Sequence, residues 1–362
     1  MIAIILGTRP EIIKMSPLIR ACESMGLDYF VIHTGQHYSF DMDKIFFGEL
    51  QLPLPKFNLD IGSGTHGVQT GKIMMGSEAI LSSEKPDVVL VQGDTNTVLA
   101  GSLAAAKLSI PVGHVEAGLR SFDKNMPEEL NRIVADHVSD FLYAPTNGAK
   151  ENLLREGIGR EKIIVTGNTI VDAIYQNSKI ARLKSNILER LNLRSKDYFL
   201  VTLHRQENVD DRSRLKEILK GLELIRKCLS KPVIFPIHPR TRKMLDNFEL
   251  CANGIEIIDP VGFLDFLQME SNARIVLTDS GGVQEETCIL GTPCVTLRET
   301  TERPETLEVS SNILAGIQSQ AILDATKSQM DNTGLWKNPF GEGKAGKHII
   351  DHISREFSLA KG

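Results

Sequence analysis

Cysteine is scarce and scattered in this chain of 362 residues. No two of the five cysteines have the spacing of a metal-ligand pair, and an odd, dispersed set does not suggest a disulfide framework. We therefore expect reduced thiols, as is usual for a cytosolic protein, and no cysteine-based metal site. The five are Cys22, Cys228, Cys251, Cys288 and Cys294.

Long apolar runs and an excess of positive charge are also missing. No window is apolar over the length that a bilayer requires, and the chain opens on the short apolar stretch 2–6 without a basic leader, so we expect neither a membrane anchor nor a targeting segment. The 41 Lys and Arg residues face 46 Asp and Glu residues, a formal net charge of −5. A mildly acidic surface does not favour nucleic-acid or membrane partners. We predict a cytoplasmic protein in which local cations would hold any anionic ligand.

Apolar strand patterns alternate with amphipathic helical patterns along the chain, which predicts α/β structure with parallel sheets covered by helices on both faces. A polar helical stretch at 174–196 is interpreted as the connection between two domains, 1–173 and 174–344. The predicted strands are 2–6, 29–34, 87–92, 110–116 and 140–144 in the first domain, and 198–203, 232–236, 255–258, 273–278 and 293–297 in the second.

Two cations follow the first predicted strand. Ligands of an open parallel sheet bind beyond the carboxyl ends of its strands. Arg9 stands at the mouth of a helix whose free N–H groups attract anions, and Lys14 lies about one turn further. Taken alone, the pair is equally consistent with solvated side chains.

Carboxylates follow two later strands of the first domain. Asp94 and Glu116 come directly after successive strands, and two carboxylates at one cleft are typical of proton-transfer sites. The structural alternative for Asp94 is a helix N-cap. Glu128 lies in the first turn of a helix, where acidic residues are routine, so the residues alone favour a structural role for it.

The second domain has two candidate ligand-binding segments. His204 and Arg205 follow its first strand. The segment 277–286 runs from a strand through two glycines into a helix, an arrangement that lets phosphate approach the backbone at a helix N-terminus. Glu286 lies four residues past Gly282, on the same helix face, where it could bind ribose hydroxyls. The alternative is a tight strand-to-helix turn without a ligand.

Two further patterns are not favoured as sites. The segment 62–67 matches G-x-G-x-x-G, but it follows a poor strand containing Pro53 and Pro55 and does not open a domain, which argues against nicotinamide binding. His348 and His352 are four residues apart, but no third metal ligand has a recognisable place, so we interpret them as surface residues.

Seven segments, taken together and in order, resemble the non-hydrolysing UDP-N-acetylglucosamine 2-epimerase family. The resemblance spans roughly residues 1 to 350. The segments are GTRPE at 7–11, QGDT at 92–95, GHVEAGLR at 113–120, PEELNR at 127–132, TGNT at 166–169, TDSGGVQEE at 278–286 and TTERPE at 300–305.

The resemblance implies a fold of the glycosyltransferase-B type, in which two Rossmann-like domains face a cleft and a tail helix at 345–362 packs back on the first. It also implies a homodimer that interconverts UDP-N-acetylglucosamine and UDP-N-acetylmannosamine without metal or cofactor, by elimination of UDP to a 2-acetamidoglucal and re-addition. Surface polysaccharide or glycoprotein glycan synthesis would be the destination of the product.

Site residues also carry over by motif position. A catalytic role is implied for Asp94, Glu116, Glu128 and His204, so the resemblance changes the interpretation of Glu128 from structural to catalytic. Substrate binding is implied for Arg9, Lys14, Phe266, Ser280, Gly281, Gly282, Glu286 and Arg303. A second, activating substrate site, as in some bacterial members, would involve Gln36, His37, Lys72, Arg205 and His238. Gln206 stands where many members carry a second arginine after the His-Arg pair, and Lys72 stands where an arginine of the activating site is expected.

Three other functions are compatible with these features. A hydrolysing relative would release UDP and free N-acetylmannosamine. A glycosyltransferase of the same fold would need an acceptor surface, and the sequence offers no clear one. A non-catalytic sugar-nucleotide sensor would keep the 280–286 segment and lose the carboxylates, whereas Asp94, Glu116 and Glu128 are all present.

Overall fold

A computed structural model of the chain describes residues 1–36 and 40–358. Their contacts divide the chain into two units, each with its own parallel sheet. The first unit comprises Met1–Gln176 with the described residues from Phe340 onward, and the second comprises Asn177–Pro339. None of the helices in the described residues combines the length and the apolar character needed to cross a membrane.

The first unit is built on a seven-stranded sheet. Its strands are β1 (Ile2–Leu6), β2 (Tyr29–His33), β3 (Phe57–Asn58), β4 (Val88–Gln92), β5 (Val112–Val115), β6 (Phe141–Ala144) and β7 (Ile163–Val165). Its helices are α1 (Arg9–Met25), α2 (Phe40–Glu49), α3 (His66–Glu84), α4 (Asn96–Lys107), α5 (Pro127–Val138) and α6 (Asn147–Arg155), and α7 (Thr169–Lys184) contains the boundary between the units.

The second unit is built on a six-stranded sheet. Its strands are β8 (Phe199–Thr202), β9 (Val233–Pro236), β10 (Glu256–Ile258), β11 (Ile275–Thr278), β12 (Cys294–Thr296) and β13 (Asn312–Leu314). Its helices are α8 (Ile187–Arg190), α9 (Gln206–Val209), α10 (Arg212–Leu229), α11 (Pro239–Asn247), α12 (Phe263–Asn272), α13 (Gly281–Leu290), α14 (Pro304–Glu308) and α15 (Ser319–Gln329); α16 (Ala345–Glu356) follows and belongs to the first unit.

Both sheets have the Rossmann strand order. The order is β3-β2-β1-β4-β5-β6-β7 in the first and β10-β9-β8-β11-β12-β13 in the second, and neighbouring strands of the described residues pair in parallel. The α/β class predicted from the alternating pattern is therefore confirmed. In each sheet the strand order reverses between the two central strands, β1 and β4 or β8 and β11. Ligands of such sheets bind beyond the carboxyl ends of the strands at this reversal.

The central strands are almost completely buried. All five residues of Ile2–Leu6 are inaccessible to solvent, as are Phe199, Leu200 and Val201 of β8. Strands covered by helices on both faces read as continuous apolar runs, which is why the sequence predicted them. Three strands were not predicted, namely β3, β7 and β13. Each lies at the edge of its sheet, is two or three residues long and is only partly buried, so it carries little of the apolar signal.

Helix α16 packs on α1 within the first unit. The buried carboxylate of Asp172 accepts hydrogen bonds from the backbone N–H groups of Ala345 (3.1 Å) and Gly346 (3.0 Å) at the start of α16. A Cβ atom on Gly346 would lie 2.7 Å from the Cβ of Pro17, so glycine permits this close approach. Further along α16, Nδ1 of His352 lies 3.0 Å from the hydroxyl of Tyr143.

Candidate active site

The turn after β1 places a cation at the start of a helix. Thr8 is the extended N-cap of α1, and Arg9 is the first helical residue. The guanidinium of Arg9 lies 5.5 Å above the Phe46 ring, and its Nε is 3.6 Å from Oδ1 of Asp43. Arg9 remains partly exposed at the helix N-terminus, the place where anions are bound most readily.

A buried acid supports this turn. The carboxyl group of Glu11 accepts hydrogen bonds from the Gly7 N–H (2.9 Å) and the Thr95 hydroxyl (2.7 Å). It therefore joins the segments that follow β1 and β4, on either side of the strand reversal. Burial raises the pKa of Glu11 to about 7, although these hydrogen bonds oppose the rise. Sequence reasoning did not assign a role to Glu11.

Glu116 is held at the carboxyl end of β5. Lys14 Nζ lies 2.8 Å and 2.6 Å from the two carboxylate oxygens of Glu116, and Gln92 Nε2 donates to Oε2 at 2.7 Å. The backbone of Glu116 is in the left-handed region, with φ of 70°. Two sequence-predicted residues, Lys14 and Glu116, are thus brought into direct contact by the fold.

Asp94 follows β4 and is not the helix N-cap that was its structural alternative. Thr95 caps α4, and its hydroxyl accepts the Val98 N–H. The Asp94 carboxylate pairs with Arg132 and keeps 35% of its side-chain surface exposed. Asn131 Nδ2 donates to the Asp94 carbonyl at 2.9 Å, so helix α5 fixes both the backbone and the side chain.

The two adjacent acids of α5 have different environments. Glu129 is buried and accepts the backbone N–H groups of Ser121 and Phe122, each at 2.9 Å. Burial opposes its ionisation, but these donors and Arg132 keep the pKa of Glu129 below its usual value. Glu129 therefore orders the loop before α5, whereas Glu128 is only half-buried.

His114 of β5 is a supporting residue that sequence reasoning missed. Its Nδ1 lies 2.7 Å from Asp136 Oδ1, and its Nε2 lies 2.8 Å from the Gly93 carbonyl. Burial opposes its protonation, but the charge and hydrogen bond of Asp136 raise the pKa of His114 overall. A carbonyl can only accept, so Nε2 donates and fixes the backbone immediately before Asp94. The sequence feature that could have indicated this role is the position of His114, a polar residue in an otherwise apolar strand.

In the second unit, Asp279 organises the segment after β8. Its buried carboxylate accepts the N–H groups of His204 (3.1 Å) and Arg205 (2.9 Å). It also lies 3.2 Å from Nδ1 of His204, whose ring is 42% exposed. This contact orients the imidazole, and His204 also lines a cavity. Asp279 lies inside the quoted 278–286 motif but was not assigned a role.

A cavity of about 230 Å³ lies beside His204 in the second unit. Phe266 and Val283 provide apolar walls, and Ser280 lines it at the start of α13. The Ser280 hydroxyl accepts the Val283 N–H at 3.5 Å, and a Cβ on Gly281 or Gly282 would meet no atom closer than 3.7 Å. Phe266 and Ser280, for which the resemblance implies substrate binding, thus line one cavity.

The charged loop before α14 is held by ion pairs. Arg303 Nε lies 2.7 Å from Glu285 Oε1 on α13. Arg298 contacts both carboxylate oxygens of Glu302 at 2.8 Å and 2.9 Å, which lowers the pKa of Glu302 to about 2. Arg205 lies 3.7 Å from the same carboxylate. Within the part of the chain that the structure describes, no group of three His, Cys, Asp or Glu residues is arranged to hold a metal ion.

The residues of the predicted activating site have varied environments. Gln36 is buried, and its Oε1 accepts the Thr97 N–H (3.1 Å) and hydroxyl (2.8 Å). Lys72 is exposed on α3. His238 lines the cavity beside His204, with ring centroids 5.9 Å apart. His37 lies outside the described residues. The activating site stays a prediction.

Comparison with known proteins identifies the family. Residues 20–354 match the family model described as UDP-N-acetylglucosamine 2-epimerase. A UDP-N-acetylglucosamine 2-epimerase of Methanocaldococcus jannaschii is 58% identical over 356 residues, covering 96% of this chain and 97% of the relative. A UDP-2,3-diacetamido-2,3-dideoxy-D-glucuronate 2-epimerase of Pseudomonas aeruginosa is 41% identical over 356 residues, covering 97% and 98%.

A solved structure agrees with these relatives. The M. jannaschii UDP-GlcNAc 2-epimerase in complex with UDP-GlcNAc and UDP superposes with a TM-score of 0.85 at 58% identity, covering 98% of this chain and 99% of that one. The likeness confirms the predicted fold class, α/β with two Rossmann-like parallel sheets of the glycosyltransferase-B type. The chain belongs to the UDP-N-acetylglucosamine 2-epimerase family.

Proposed function

We propose that this chain interconverts UDP-N-acetylglucosamine and UDP-N-acetylmannosamine by eliminating UDP and adding it back to a 2-acetamidoglucal. The relative at 58% identity and the related structure with UDP-GlcNAc and UDP bound support the substrate. The observation that carries the chemistry is the placement of Glu116 and Asp94 at neighbouring strand ends beside the strand reversal. We also propose a cytoplasmic homodimer, on the family resemblance.

The reaction needs the diphosphate to begin leaving before carbon 2 loses its proton. No carbonyl adjoins carbon 2, so its hydrogen is not acidic in the substrate. Departure of UDP places positive charge on the sugar ring and acidifies the neighbouring C–H bond. Groups that stabilise the departing diphosphate therefore act where charge develops in the transition state. Arg9, the Ser280 turn and His204 are the groups suited to that task.

Carboxylates would move the proton. Epimerisation removes a proton from one face of carbon 2 and returns one to the other face, so two acid/base groups suit it better than one. Glu116, positioned by Lys14 and Gln92, and Asp94, positioned by Arg132, are two such groups, and Glu128 is a third candidate. Bond breaking at carbon 1 sends its electrons to the UDP oxygen, and re-addition of UDP reverses this.

The cavity beside His204 suits the nucleotide. Phe266 would lie against the uracil ring, and the helix start at Ser280, Gly281 and Gly282 would hold phosphate. Glu286, one turn into α13, would bind the ribose, and Arg303 would complete the site. The Asp279 contact with Nδ1 of His204 would keep the ring oriented toward the diphosphate.

A proton NMR time course with UDP-N-acetylglucosamine in heavy water tests the proposal. We expect UDP-N-acetylmannosamine to grow to a fixed ratio, with deuterium entering at carbon 2. Free N-acetylmannosamine would identify a hydrolysing enzyme instead. An unchanged spectrum, also after addition of a trace of product in case activation is required, would refute epimerisation.

The relatives suggest a second candidate substrate, which the same NMR assay can test. The P. aeruginosa relative is named for a 2,3-diacetamido glucuronate, which differs from N-acetylglucosamine at carbons 3 and 6 of the sugar. We expect UDP-N-acetylglucosamine to give the higher kcat/KM, because the relative named for it is the more similar of the two, at 58% against 41% identity. A higher kcat/KM for the diacetamido glucuronate would reverse this assignment.

A further inference from the structure

Glu270 is a buried carboxyl group that the mechanism above does not use. It lies on α12, is completely inaccessible to solvent, and neither carboxyl oxygen receives a hydrogen bond from an N–H or O–H group of the described residues. An ionised carboxylate in such a place is strongly disfavoured. Glu270 is therefore either protonated or paired with a neighbouring group that accounts for its burial.

The neighbour is Glu286 of α13. The two carboxyl groups are within hydrogen-bonding contact, and Glu286 is the less buried of the pair. Two acids in contact cannot both ionise readily, so the pair holds one shared proton. Burial and the adjacent Glu286 both raise the pKa of Glu270, which places the proton on Glu270. Cys294 and Tyr198 also face Glu270, and burial keeps both neutral by raising their pKa values.

Helix geometry connects this pair to the cavity beside His204. Glu270 is four residues after Phe266 on α12, and Glu286 is three residues after Val283 on α13, so each acid shares a helix face with a cavity-lining residue. Helices α12 and α13 pack against each other. The hydrogen bond between the two carboxyl groups therefore links α12 and α13 next to the cavity wall that the proposed function assigns to the nucleotide.

We propose that Glu270 is a positioning residue for nucleotide recognition: in its protonated form it donates a hydrogen bond to Glu286 and holds that carboxylate toward the ribose hydroxyls of the UDP-sugar. The inference rests on the proposed function, because Glu286 receives its ribose role there. A carboxylate held in one orientation can accept both ribose hydroxyls, whereas a carboxylate free to rotate selects less well between ribose and 2′-deoxyribose.

Comparing UDP with 2′-deoxy-UDP as ligands separates this role from a merely structural one. The variants are Glu270→Met, which cannot donate, and Glu270→Gln, which has similar size and keeps a donor. We expect the wild type to bind UDP more tightly than 2′-deoxy-UDP by calorimetry. Glu270→Met should reduce that ratio of Kd values about tenfold, while Glu270→Gln should stay within about threefold of the wild type.

Three further measurements accompany the binding data. Thermal unfolding should show Glu270→Met to be as stable as the wild type or more so, because an apolar side chain replaces a buried acid. With UDP-N-acetylglucosamine, its KM should rise more than its kcat falls. The infrared difference spectrum between the wild type and Glu270→Gln near neutral pH should show a protonated carboxyl band that belongs to the wild type, which tests the shared proton even if the Met variant fails to fold.

The outcomes distinguish the inference from the proposed function. A wild type that does not distinguish UDP from 2′-deoxy-UDP overturns the ribose role of Glu286, and the inference falls with it. A selective wild type with an equally selective Glu270→Met overturns the inference alone. Infrared spectra of the wild type and Glu270→Gln that do not differ in a protonated carboxyl band also overturn it.

Discussion

Replacing Glu11 with glutamine should change how the stability of the protein depends on pH. Glu11 is completely buried beneath the turn after β1, where it accepts hydrogen bonds from Gly7 and Thr95. Its pKa rises from 4.5 to about 7 because burial disfavours the charged form. Glutamine has a similar size and can accept the Gly7 N–H, but it does not titrate.

The direction and size of the effect follow from linkage. Below pH 4.5 the acid is protonated in both the folded and the unfolded chain. Between pH 4.5 and about 7 the folded chain keeps the proton that the unfolded chain releases, so the free energy of unfolding falls as pH rises. At about 1.4 kcal/mol per pH unit, the loss is complete above pH 7 and amounts to about 3 kcal/mol.

Urea unfolding followed by circular dichroism at pH 5 and pH 8 provides the assay. Glu11→Gln should lie within about 1 kcal/mol of the wild type at pH 5 and exceed it by up to about 3 kcal/mol at pH 8. Glu151→Gln, on an exposed position of α6, should not alter the pH dependence. Fluorescence of Trp336, the only tryptophan in the sequence, follows the second unit for comparison. Parallel pH curves for wild type and Glu11→Gln would refute the reasoning.

Three other substitutions probe the candidate site. Asp94→Asn should lower kcat in the NMR assay by about two to four powers of ten. The control is Asp87→Asn, just before the same strand. Normal turnover of Asp94→Asn would show that Asp94 does not take part in proton transfer. Lys14→Met should lower kcat/KM about tenfold to a hundredfold, because it takes the cation from the mostly buried Glu116, and unchanged kinetics would contradict this role. Asp279→Asn should lower kcat, and it should reduce the free energy of unfolding by about 1–3 kcal/mol because the buried carboxylate accepts two backbone N–H groups. A loss of stability without a change in kcat would show that Asp279 does not act through His204.

The fold was predictable wherever burial is complete. Central strands such as Ile2–Leu6 are covered on both faces, so every residue is apolar and the segment stands out from its surroundings. The edge strand Phe57–Asn58 pairs with one neighbour over two residues, and its burial is only partial. Its strand character comes from pairing with Ile32 and His33 of β2, next to a hydrogen bond from the Leu59 N–H to the His33 carbonyl (2.9 Å). Tertiary structure forms this pairing, and no local pattern encodes it.

The candidate site could be predicted from the sequence as a set of positions but not as a set of contacts. Strand ends in a parallel sheet are where ligands bind, so Arg9, Asp94 and His204 could be selected from the sequence. Their partners are distant in the chain: Lys14 and Glu116 are 102 residues apart, and His204 and Asp279 are 75 apart. Sequence separation of this size leaves no local pattern, so the supporting residues emerge only when the sheets are assembled.

The backbone of Glu116 gives a physical reason to assign it a function that does not depend on any motif. A long side chain at φ 70° costs of order 1–3 kcal/mol, and glycine or asparagine would adopt this conformation more readily. The conformation is held by Tyr143, whose carbonyl accepts the N–H groups of both Glu116 (3.1 Å) and Ala117 (3.2 Å). Lys14 and Gln92 then fix the carboxylate. The carboxylate is therefore fixed at a strained backbone position, and its place at a strand end beside the sheet reversal makes it the first candidate for proton transfer.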